Sequence, residues 1–232
     1  MLSLITGVGA QGQVGEAVAT ALAERGDVVL LVSRQEGEVR ARAGEIAAKG
    51  GTAHAYACDL SDANAVAALA QTVTREHGGR LDALVNLAGG FAMSGPLAQS
   101  DPSILEHQLR INLITAYLAT RAFLPSVVAA RGSVVFFASE AVLESGNVSG
   151  MAAYAAAKAA VVALMRAVFD EARAAGVRAN ALAPAAIRTS TNEASMGKDA
   201  RYVEREQVAA AVAFLCSPAA SAITGQVIRL RR

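Results

Sequence analysis

Tyr154 and Lys158, in the run Tyr-Ala-Ala-Ala-Lys, are two side chains whose types and spacing could move a proton. Residues four apart on a helix project from one face, with their β-carbons about 5–6 Å apart. A free tyrosine has a pKa of about 10, which is too high for acid–base work at neutral pH. A neighbouring ammonium group favours the phenolate and lowers that pKa, so Tyr154 could exchange a proton with a carbonyl or an alcohol. The spacing alone fits a solvated surface contact equally well, because structural ion pairs also perturb pKa values.

Regular elements must hold these residues, and short apolar runs alternate with longer helical patterns along the chain. The sequence predicts strands at Leu2–Ile5, Val28–Val32, Ala53–Ala57, Ala83–Asn86, Ser133–Phe137, Val177–Leu182 and Gln226–Leu230. It predicts helices at Val14–Arg25, Glu36–Lys49, Asp62–His77, Ser103–Ala129, Ala152–Ala174 and Glu206–Leu215. Apolar strands separated by helices are typical of a parallel sheet covered on both faces. Right-handed crossovers then predict an α/β fold with a doubly wound, seven-stranded parallel sheet, in one domain over residues 1–232.

Composition narrows the possible partners. Hydrophobic residues make up 53% of the chain and charged residues 18%, with a net charge of +1, which argues against disorder and against nucleic acid or an anionic membrane as partner. Cys58 and Cys216 lie in apolar runs, and His54, His77 and His107 form no ligand pattern, so we expect reduced thiols and no metal. Apolar runs stay below the roughly 18 residues that span a membrane, and the first five residues lack the charged start of a signal peptide. We therefore expect a cytoplasmic protein.

A glycine-rich turn follows the first strand directly. It reads Thr6-Gly7-Val-Gly9-Ala-Gln-Gly12-Gln-Val-Gly15, and Gly15 opens a helix. Glycines let a backbone approach a pyrophosphate, and the N-terminus of a helix offers unpaired N–H groups. Glycine also serves plain tight turns, but the position after the first strand favours dinucleotide binding.

The end of the second strand bears on which dinucleotide binds. It reads Val32-Ser33-Arg34, with no acidic residue to hydrogen-bond the ribose hydroxyls of NAD. An arginine can accept the 2′-phosphate of NADP, although Arg34 could also be a solvated loop residue. The pattern predicts a preference for NADP(H), with NAD(H) possible.

Seven motifs follow one another along the chain. They are Thr6-Gly7 with its glycine turn, Cys58-Asp59-Leu60, Asn86-Leu-Ala-Gly89, Asn112 within Ile-Asn-Leu, Ser139, Tyr154-x-x-x-Lys158 and Asn180-Ala-Leu-Ala-Pro184. Their order and spacing resemble the short-chain dehydrogenase/reductase family, in its ketoreductase-like members, over essentially the whole chain. The resemblance implies a single-domain Rossmann fold.

The resemblance also implies catalytic roles. Tyr154 would be the general acid in reduction, and Lys158 would lower the pKa of Tyr154 and hold the nicotinamide ribose. Ser139 would hydrogen-bond the substrate carbonyl, and Asn112 would hold a water in a proton relay. The plain alternatives are a strand-end cap for Ser139 and a helix-interior polar residue for Asn112.

Cofactor contacts implied by the resemblance extend along one edge of the sheet. Asp59 and Leu60 would contact the adenine, Asn86, Ala88 and Gly89 the adenosine ribose side, and Thr189 the nicotinamide amide. A plain loop hydroxyl is the alternative for Thr189. The full set is Thr6, Gly7, Gly9, Gln11, Gly12, Val14, Gly15, Ser33, Arg34, Asp59, Leu60, Asn86, Ala88, Gly89, Tyr154, Lys158, Pro184, Ile187 and Thr189.

Several features depart from the family pattern. The glycine turn is two residues longer than usual, with Gln13 where a glycine normally stands, and the loop 140–151 is longer than common. The substrate-loop region 190–205 is short, and its part Ser190–Tyr202 looks irregular and mobile. A short lid predicts an open pocket and a bulky or carrier-bound substrate.

These observations predict an NADP(H)-dependent oxidoreductase that interconverts a ketone and a secondary alcohol. A reductase of 3-oxoacyl thioesters on an acyl carrier is one alternative. The other is a cofactor-binding regulator or scaffold with little activity. We expect a small-molecule carbonyl or alcohol as partner, and a homodimer or homotetramer formed through the two long alanine-rich helices.

Overall fold

Seven parallel strands form one sheet in the computed structural model, which describes residues 1–144 and 146–231. The strands are β1 Leu2–Thr6, β2 Val28–Ser33, β3 Thr52–Ala57, β4 Ala83–Asn86, β5 Ser133–Phe137, β6 Arg178–Pro184 and β7 Val227–Leu230. Their order across the sheet is β3-β2-β1-β4-β5-β6-β7. The chain therefore reverses its winding direction between β1 and β4, and a crevice opens at the carboxyl ends of these two strands.

Eight α-helices connect or follow the strands within these residues. They are α1 Val14–Glu24, α2 Glu36–Ala48, α3 Ala63–His77, α4 Pro102–Gln108, α5 Thr115–Ala130, α6 Ala152–Ala172, α7 Ser190–Met196 and α8 Arg205–Cys216. A π-helical turn, Leu109–Ile114, joins α4 to α5. The α/β doubly wound sheet predicted from the sequence is confirmed.

Both faces of the sheet are buried, which explains why its central strands are apolar throughout. Leu4 and Leu30 point into a core with α3, α5 and α6. Their chain neighbours Ile5 and Leu31 point into a second core with α1, α2 and α8. Successive side chains of a strand alternate between faces, so both sets of positions must be hydrophobic.

The predicted helix Ser103–Ala129 is not a continuous α-helix. The side-chain Nδ2 of Asn112 donates to the backbone oxygen of Gln108 at 3.1 Å, four residues earlier. A side chain inserted into the helical ladder in this way is a recognised cause of a bulge. The π-helical turn presents Asn112 towards the carboxyl edge of the sheet.

The predicted irregular stretch Ser190–Tyr202 contains the helix α7, so that expectation is wrong for residues 190–196. Ser145, within the loop 140–151 that we expected to be unusual, and Arg232 lie outside the described residues. Two helical runs, Pro102–Ala130 and Ala152–Ala175, meet the length and hydropathy of a membrane span. Both pack on the sheet, and the core helices of folded domains pass the same test, so this resemblance to membrane helices is weak.

Candidate active site

The glycine turn (residues 7–15) lies at the carboxyl end of β1, and its backbone packs directly against other backbone atoms. Gly7 has a φ of 78°, and a β-carbon on it would lie 2.8 Å from backbone atoms of Ala88. A β-carbon on Gly15 would overlap the carbonyl oxygen of Gly7. Since α1 begins at Val14, its first N–H groups face the turn. These residues fit a dinucleotide whose pyrophosphate rests on the N-terminus of a helix.

The extended part of the glycine turn makes its own contacts. The amide of Gly12 donates to Glu16 Oε2 at 2.6 Å, and Glu16 is paired with Arg205 at 3.4 Å. Gln13 turns the other way and donates to Ser190 at the start of α7. Gln11 remains exposed. The Gly12 amide is therefore occupied by a carboxylate rather than left for a phosphate.

The adenosine end of the predicted site lies where β2 and β3 end. Arg34 is exposed, and Ser33 is half-buried. Hydrogen bonds from the backbone and hydroxyl of Ser61 hold the pKa of Asp59 below its ordinary value, and the charge of Arg34 adds to that effect. Asp59 therefore stays ionised next to Arg34. Leu60 packs its side chain into the core, so only its backbone can face a ligand.

Glu38 belongs to this end of the site, and sequence reasoning missed it. A β-carbon on Gly9 would lie 2.8 Å from Glu38 Oε2 and 3.1 Å from Ser33 Oγ. Glu38 is therefore an acid beside the adenosine end, carried by the first turn of α2 rather than by the end of β2. Glu38 could not be recognised from the sequence because it is separated from Ser33 along the chain. Only the fold of the strand-to-helix turn brings its carboxylate back over Gly9.

Thr6 connects the glycine turn to the motif Asn86-Leu-Ala-Gly89. Its hydroxyl accepts the amides of Leu87 and Ala88 at 3.0 and 3.1 Å and donates to the Val85 carbonyl at 3.2 Å. Asn86 is buried and donates to Thr120 at 2.9 Å, while its Oδ1 has no partner within the described residues. Thr6 therefore fixes the turn after β4 rather than facing solvent.

Ser139, Tyr154 and Lys158 come together at the carboxyl end of β5. Lys158 Nζ donates to the Phe137 carbonyl at 2.9 Å and lies 5.9 Å from the centre of the Tyr154 ring. Tyr154 hydrogen-bonds with Ser139. Phe91 covers the other side, with its ring edge-to-face against Tyr154 at 5.0 Å between centroids.

Burial dominates the electrostatics of this pair. Burial raises the pKa of Tyr154, and the hydrogen bond with Ser139 only partly opposes that rise. Burial also lowers the pKa of Lys158 to about 8. The pKa of Tyr154 therefore lies above its ordinary value in the protein on its own, because removal from water dominates. The lowering of that pKa by Lys158 stays a prediction.

Asn112 is held rigidly beside these residues. Its Oδ1 accepts the amide of Gly90 at 3.2 Å, and its Nδ2 donates to the Gly90 carbonyl at 3.0 Å and to Gln108 Oε1 at 3.0 Å. Gln108 is completely buried, and its Nε2 has no partner among the residues the structure describes. Sequence reasoning missed Gln108, which looks like any glutamine one helical turn before the asparagine.

The remaining predicted residues lie after β6. Pro184 ends that strand, and Ile187 pairs with Val203 in an isolated bridge. Thr189 is buried, and its hydroxyl caps α7 by accepting the amide of Asn192 at 3.1 Å. The hydroxyl of Thr189 is therefore a helix cap rather than the plain loop hydroxyl considered from the sequence, and it lies at the start of the lid.

Comparisons with known proteins agree with this geometry. The sequence profile of the family described as Enoyl-(Acyl carrier protein) reductase matches residues 7–230. The chain is 34% identical over 237 residues to a tropinone reductase homolog of Arabidopsis thaliana, covering 97% of this chain and 87% of that protein. It is 32% identical over 238 residues to the 3-oxoacyl-(acyl-carrier-protein) reductase of a Synechocystis strain, covering 99% and 94%.

A solved structure from Beutenbergia cavernae is similar over almost the whole chain. That protein is provisionally identified as an NAD(P)-dependent gluconate 5-dehydrogenase and carries NADP at low occupancy. The TM-score is 0.88 at 34% identity, over 98% of this chain and 94% of that chain.

Fold, site and relatives define an NAD(P)-binding oxidoreductase of the class that acts on alcohols and ketones. The chain belongs to the short-chain dehydrogenase/reductase family.

Proposed function

We propose that this protein is an NADP(H)-dependent oxidoreductase that interconverts a ketone and a secondary alcohol, with Tyr154 as general acid and base. The observation that carries the proposal is the convergence of Ser139, Tyr154 and Lys158 beside the glycine turn. The crevice at this edge of the sheet is lined by the phenol of Tyr154 as proton donor, the hydroxyl of Ser139 and the buried ammonium of Lys158.

A nicotinamide cofactor held on the glycine turn would supply hydride to a carbonyl carbon, or accept it from an alcohol carbon. In reduction, Tyr154 Oη donates its proton to the substrate oxygen and becomes a phenolate. Lys158, charged at neutral pH because its pKa is about 8, stabilises that phenolate. Ser139 donates to the same substrate oxygen and stabilises the charge that develops on it.

The raised pKa of Tyr154 keeps the phenol protonated at neutral pH. A protonated phenol is the form that reduction needs, whereas oxidation needs the phenolate. Asn112 would support proton movement by holding a water beside Lys158, since a β-carbon on Gly89 would lie 2.5 Å from Asn112 Oδ1 and 3.4 Å from Lys158 Nζ.

Replacing Tyr154 with Phe tests the acid–base role. The variant keeps the aromatic ring and the edge contact with Phe91, so we expect the cofactor still to bind and kcat to fall at least 10²-fold, roughly the contribution of a general acid. Turnover close to that of the unaltered enzyme would overturn the assignment of Tyr154.

Arg34 supports the preference for NADP(H), because an exposed guanidinium can bind a 2′-phosphate. Glu38 acts in the opposite sense, since its carboxylate would repel that phosphate and hydrogen-bond the hydroxyls of NAD. The effects of Arg34 and Glu38 are measured by the ratio of kcat/KM with NADPH to kcat/KM with NADH, in the variants Arg34→Asp and Glu38→Gln. We expect the first variant to lower the ratio and the second to raise it. An unchanged ratio in Arg34→Asp would refute the cofactor preference.

The mouth of the site supports a substrate with an apolar group next to the carbonyl. Phe91 and Met93 are each 56% exposed, and the backbone of Gly150 fixes their loop through the amide of Ser94 at 2.8 Å. A panel of neutral aromatic and aliphatic ketones and charged keto acids, followed through NADPH absorbance, tests this. Faster turnover of charged keto acids would contradict it.

A second candidate is a 3-oxoacyl-thioester reductase. The Synechocystis relative favours it, and the family description also names a substrate bound to an acyl carrier. Adding an N-acetylcysteamine 3-oxoacyl thioester to the panel separates it from simple ketone reduction. Cofactor binding without turnover of any compound would instead support a regulator or scaffold.

The proposed assembly is a homodimer or homotetramer through α5 and α6. Tyr117 and Ile114, near the start of α5, are 49% and 38% exposed despite their size. Covering such side chains with a second copy removes apolar surface from water. Light scattering tests this, and a monomer at working concentration would contradict it.

We propose the cytoplasm as the compartment of this protein, which suits the free thiols of Cys58 and Cys216.

A further inference from the structure

The two sequence departures, the long glycine turn and the short lid, contact each other. Gln13 Nε2 donates to Ser190 Oγ at 2.7 Å and to Thr191 Oγ1 at 3.0 Å. Ser190 and Thr191 are the first two residues of α7. Gln13, which departs from the glycine of the family pattern, is therefore the side chain that reaches the lid.

The backbone reinforces this contact. The amide of Ser190 donates to the Gly12 carbonyl at 3.2 Å. As the first residue of α7, Ser190 has no acceptor for that amide inside its own helix. Gly12 has a φ of 77°, and a β-carbon on it would lie 3.1 Å from Ser190 Oγ. The carbonyl of Gly12 thus accepts the Ser190 amide, and the missing side chain of Gly12 leaves room for α7 to lie close to the turn.

The far end of α7 is anchored separately. The hydroxyl of Tyr202 donates to the Gly197 carbonyl at 2.7 Å and to the Asn192 carbonyl at 3.1 Å, and Tyr202 is only 1% exposed. With that end fixed, the near end of α7 is joined to the glycine turn by the side chain of Gln13 and by the backbone bond from Ser190 to Gly12.

We propose that Gln13 is a positioning residue that latches α7 onto the glycine turn, so that the cofactor site and the lid are ordered together before the cofactor binds. This proposal rests on the proposed function in that it takes the glycine turn to hold a dinucleotide. A preformed lid leaves less ordering to be done on binding, and this raises affinity. The longer turn thus compensates for a short lid.

Replacing Gln13 with Ala removes both side-chain hydrogen bonds and tests the latch. We expect faster amide hydrogen exchange in residues 190–196 of the cofactor-free protein, and a Kd for NADPH raised about 5- to 10-fold by fluorescence titration. Gln71→Ala, an exposed glutamine of α3 on the opposite face of the sheet, is the matched control and should change neither quantity. Unchanged exchange in Gln13→Ala would overturn the proposal.

A double-mutant cycle with Ser190→Ala separates the latch from a direct contact between Gln13 and the cofactor. If Gln13 acts through α7, the double variant binds NADPH no more weakly than Gln13→Ala alone. If the two substitutions weaken NADPH binding additively, Gln13 acts on the cofactor itself, and this would refute the latch.

The outcomes for the latch and for the proposed function are distinct. If the unaltered protein binds no dinucleotide, the proposed function is refuted. If the unaltered protein binds NADPH and Gln13→Ala binds it with the same Kd, only the latch is refuted.

Discussion

Gly89 offers a sharp test of how the catalytic side chains are held. A β-carbon added there would lie 2.5 Å from Asn112 Oδ1 and 3.4 Å from Lys158 Nζ. Ordinary van der Waals contact begins at 3.4 Å, so Asn112 Oδ1 must move by about 0.9 Å (3.4 minus 2.5). The φ of Gly89 lies outside the left-handed region. Gly89→Ala therefore tests the contact rather than backbone strain.

A shift of that size breaks the hydrogen bonds of Asn112, which already measure 3.0–3.2 Å. Leaving a buried polar group unsatisfied costs about 1–3 kcal/mol, and we expect the free energy of unfolding to fall by that amount. A displacement of about 1 Å at a reacting centre can cost about 10²-fold in rate, so we expect a similar drop in kcat.

Steady-state kinetics and urea unfolding of Gly89→Ala measure both effects. Gly44→Ala in α2 is the control, because nothing lies within 4 Å of its β-carbon position. Alanine is the better helix former, so this variant should be stabilised by about 0.5–1 kcal/mol with kcat unchanged. Gly89→Ala with full kcat and full stability would refute the tight packing of Gly89 against Asn112.

Three further predictions address proton transfer, the buried glutamine and the core. Because the pKa of Lys158 is about 8 and its charged form stabilises the phenolate, kcat/KM for reduction should be flat near pH 7 and fall above about pH 8; a profile still flat at pH 9.5 would contradict this. Gln108→Leu removes one acceptor from Asn112, so kcat should fall several-fold while the free energy of unfolding changes by no more than about 1 kcal/mol; unchanged kcat would show that Asn112 needs no such support. Met165→Ala empties a fully buried position of α6, and chemical denaturation should show a loss of about 2–5 kcal/mol; a loss under 1 kcal/mol would mean that the core relaxes into the space.

The fold could be predicted from the sequence because its strands are buried on both faces. Four consecutive apolar residues such as Val29–Val32 fit a parallel strand between two helical layers, and the turn chemistry of Gly7 and Gly15 marks where the first strand ends. Tyr154 and Lys158 share a helix face whatever surrounds them, so their proximity followed from spacing alone.

What could not be predicted depends on distances that only the folded chain sets. Glu38 reaches Gly9 because the turn after β2 folds back, and Gln13 reaches Ser190 across 177 residues of sequence. The bulge at Asn112 results from a side chain competing with backbone donors, which helix propensity does not describe. The direction of the Tyr154 pKa depends on burial, and no pattern of residue types reports that.

Burial changes how the tyrosine–lysine pair works. In water, a lysine beside a tyrosine would mainly lower the pKa of the phenol. Here burial raises the pKa of Tyr154 and lowers that of Lys158, yet at neutral pH the phenol stays protonated and the ammonium stays charged. That combination is the one that reduction requires. In the protein on its own, the Lys158 ammonium donates a hydrogen bond to the Phe137 carbonyl. To stabilise a phenolate, Lys158 must also interact with Tyr154 Oη as the substrate takes up the proton of Tyr154. In the proposed mechanism, the charge of Lys158 would therefore stabilise the transition state more than the resting protein, which is the condition for catalysis.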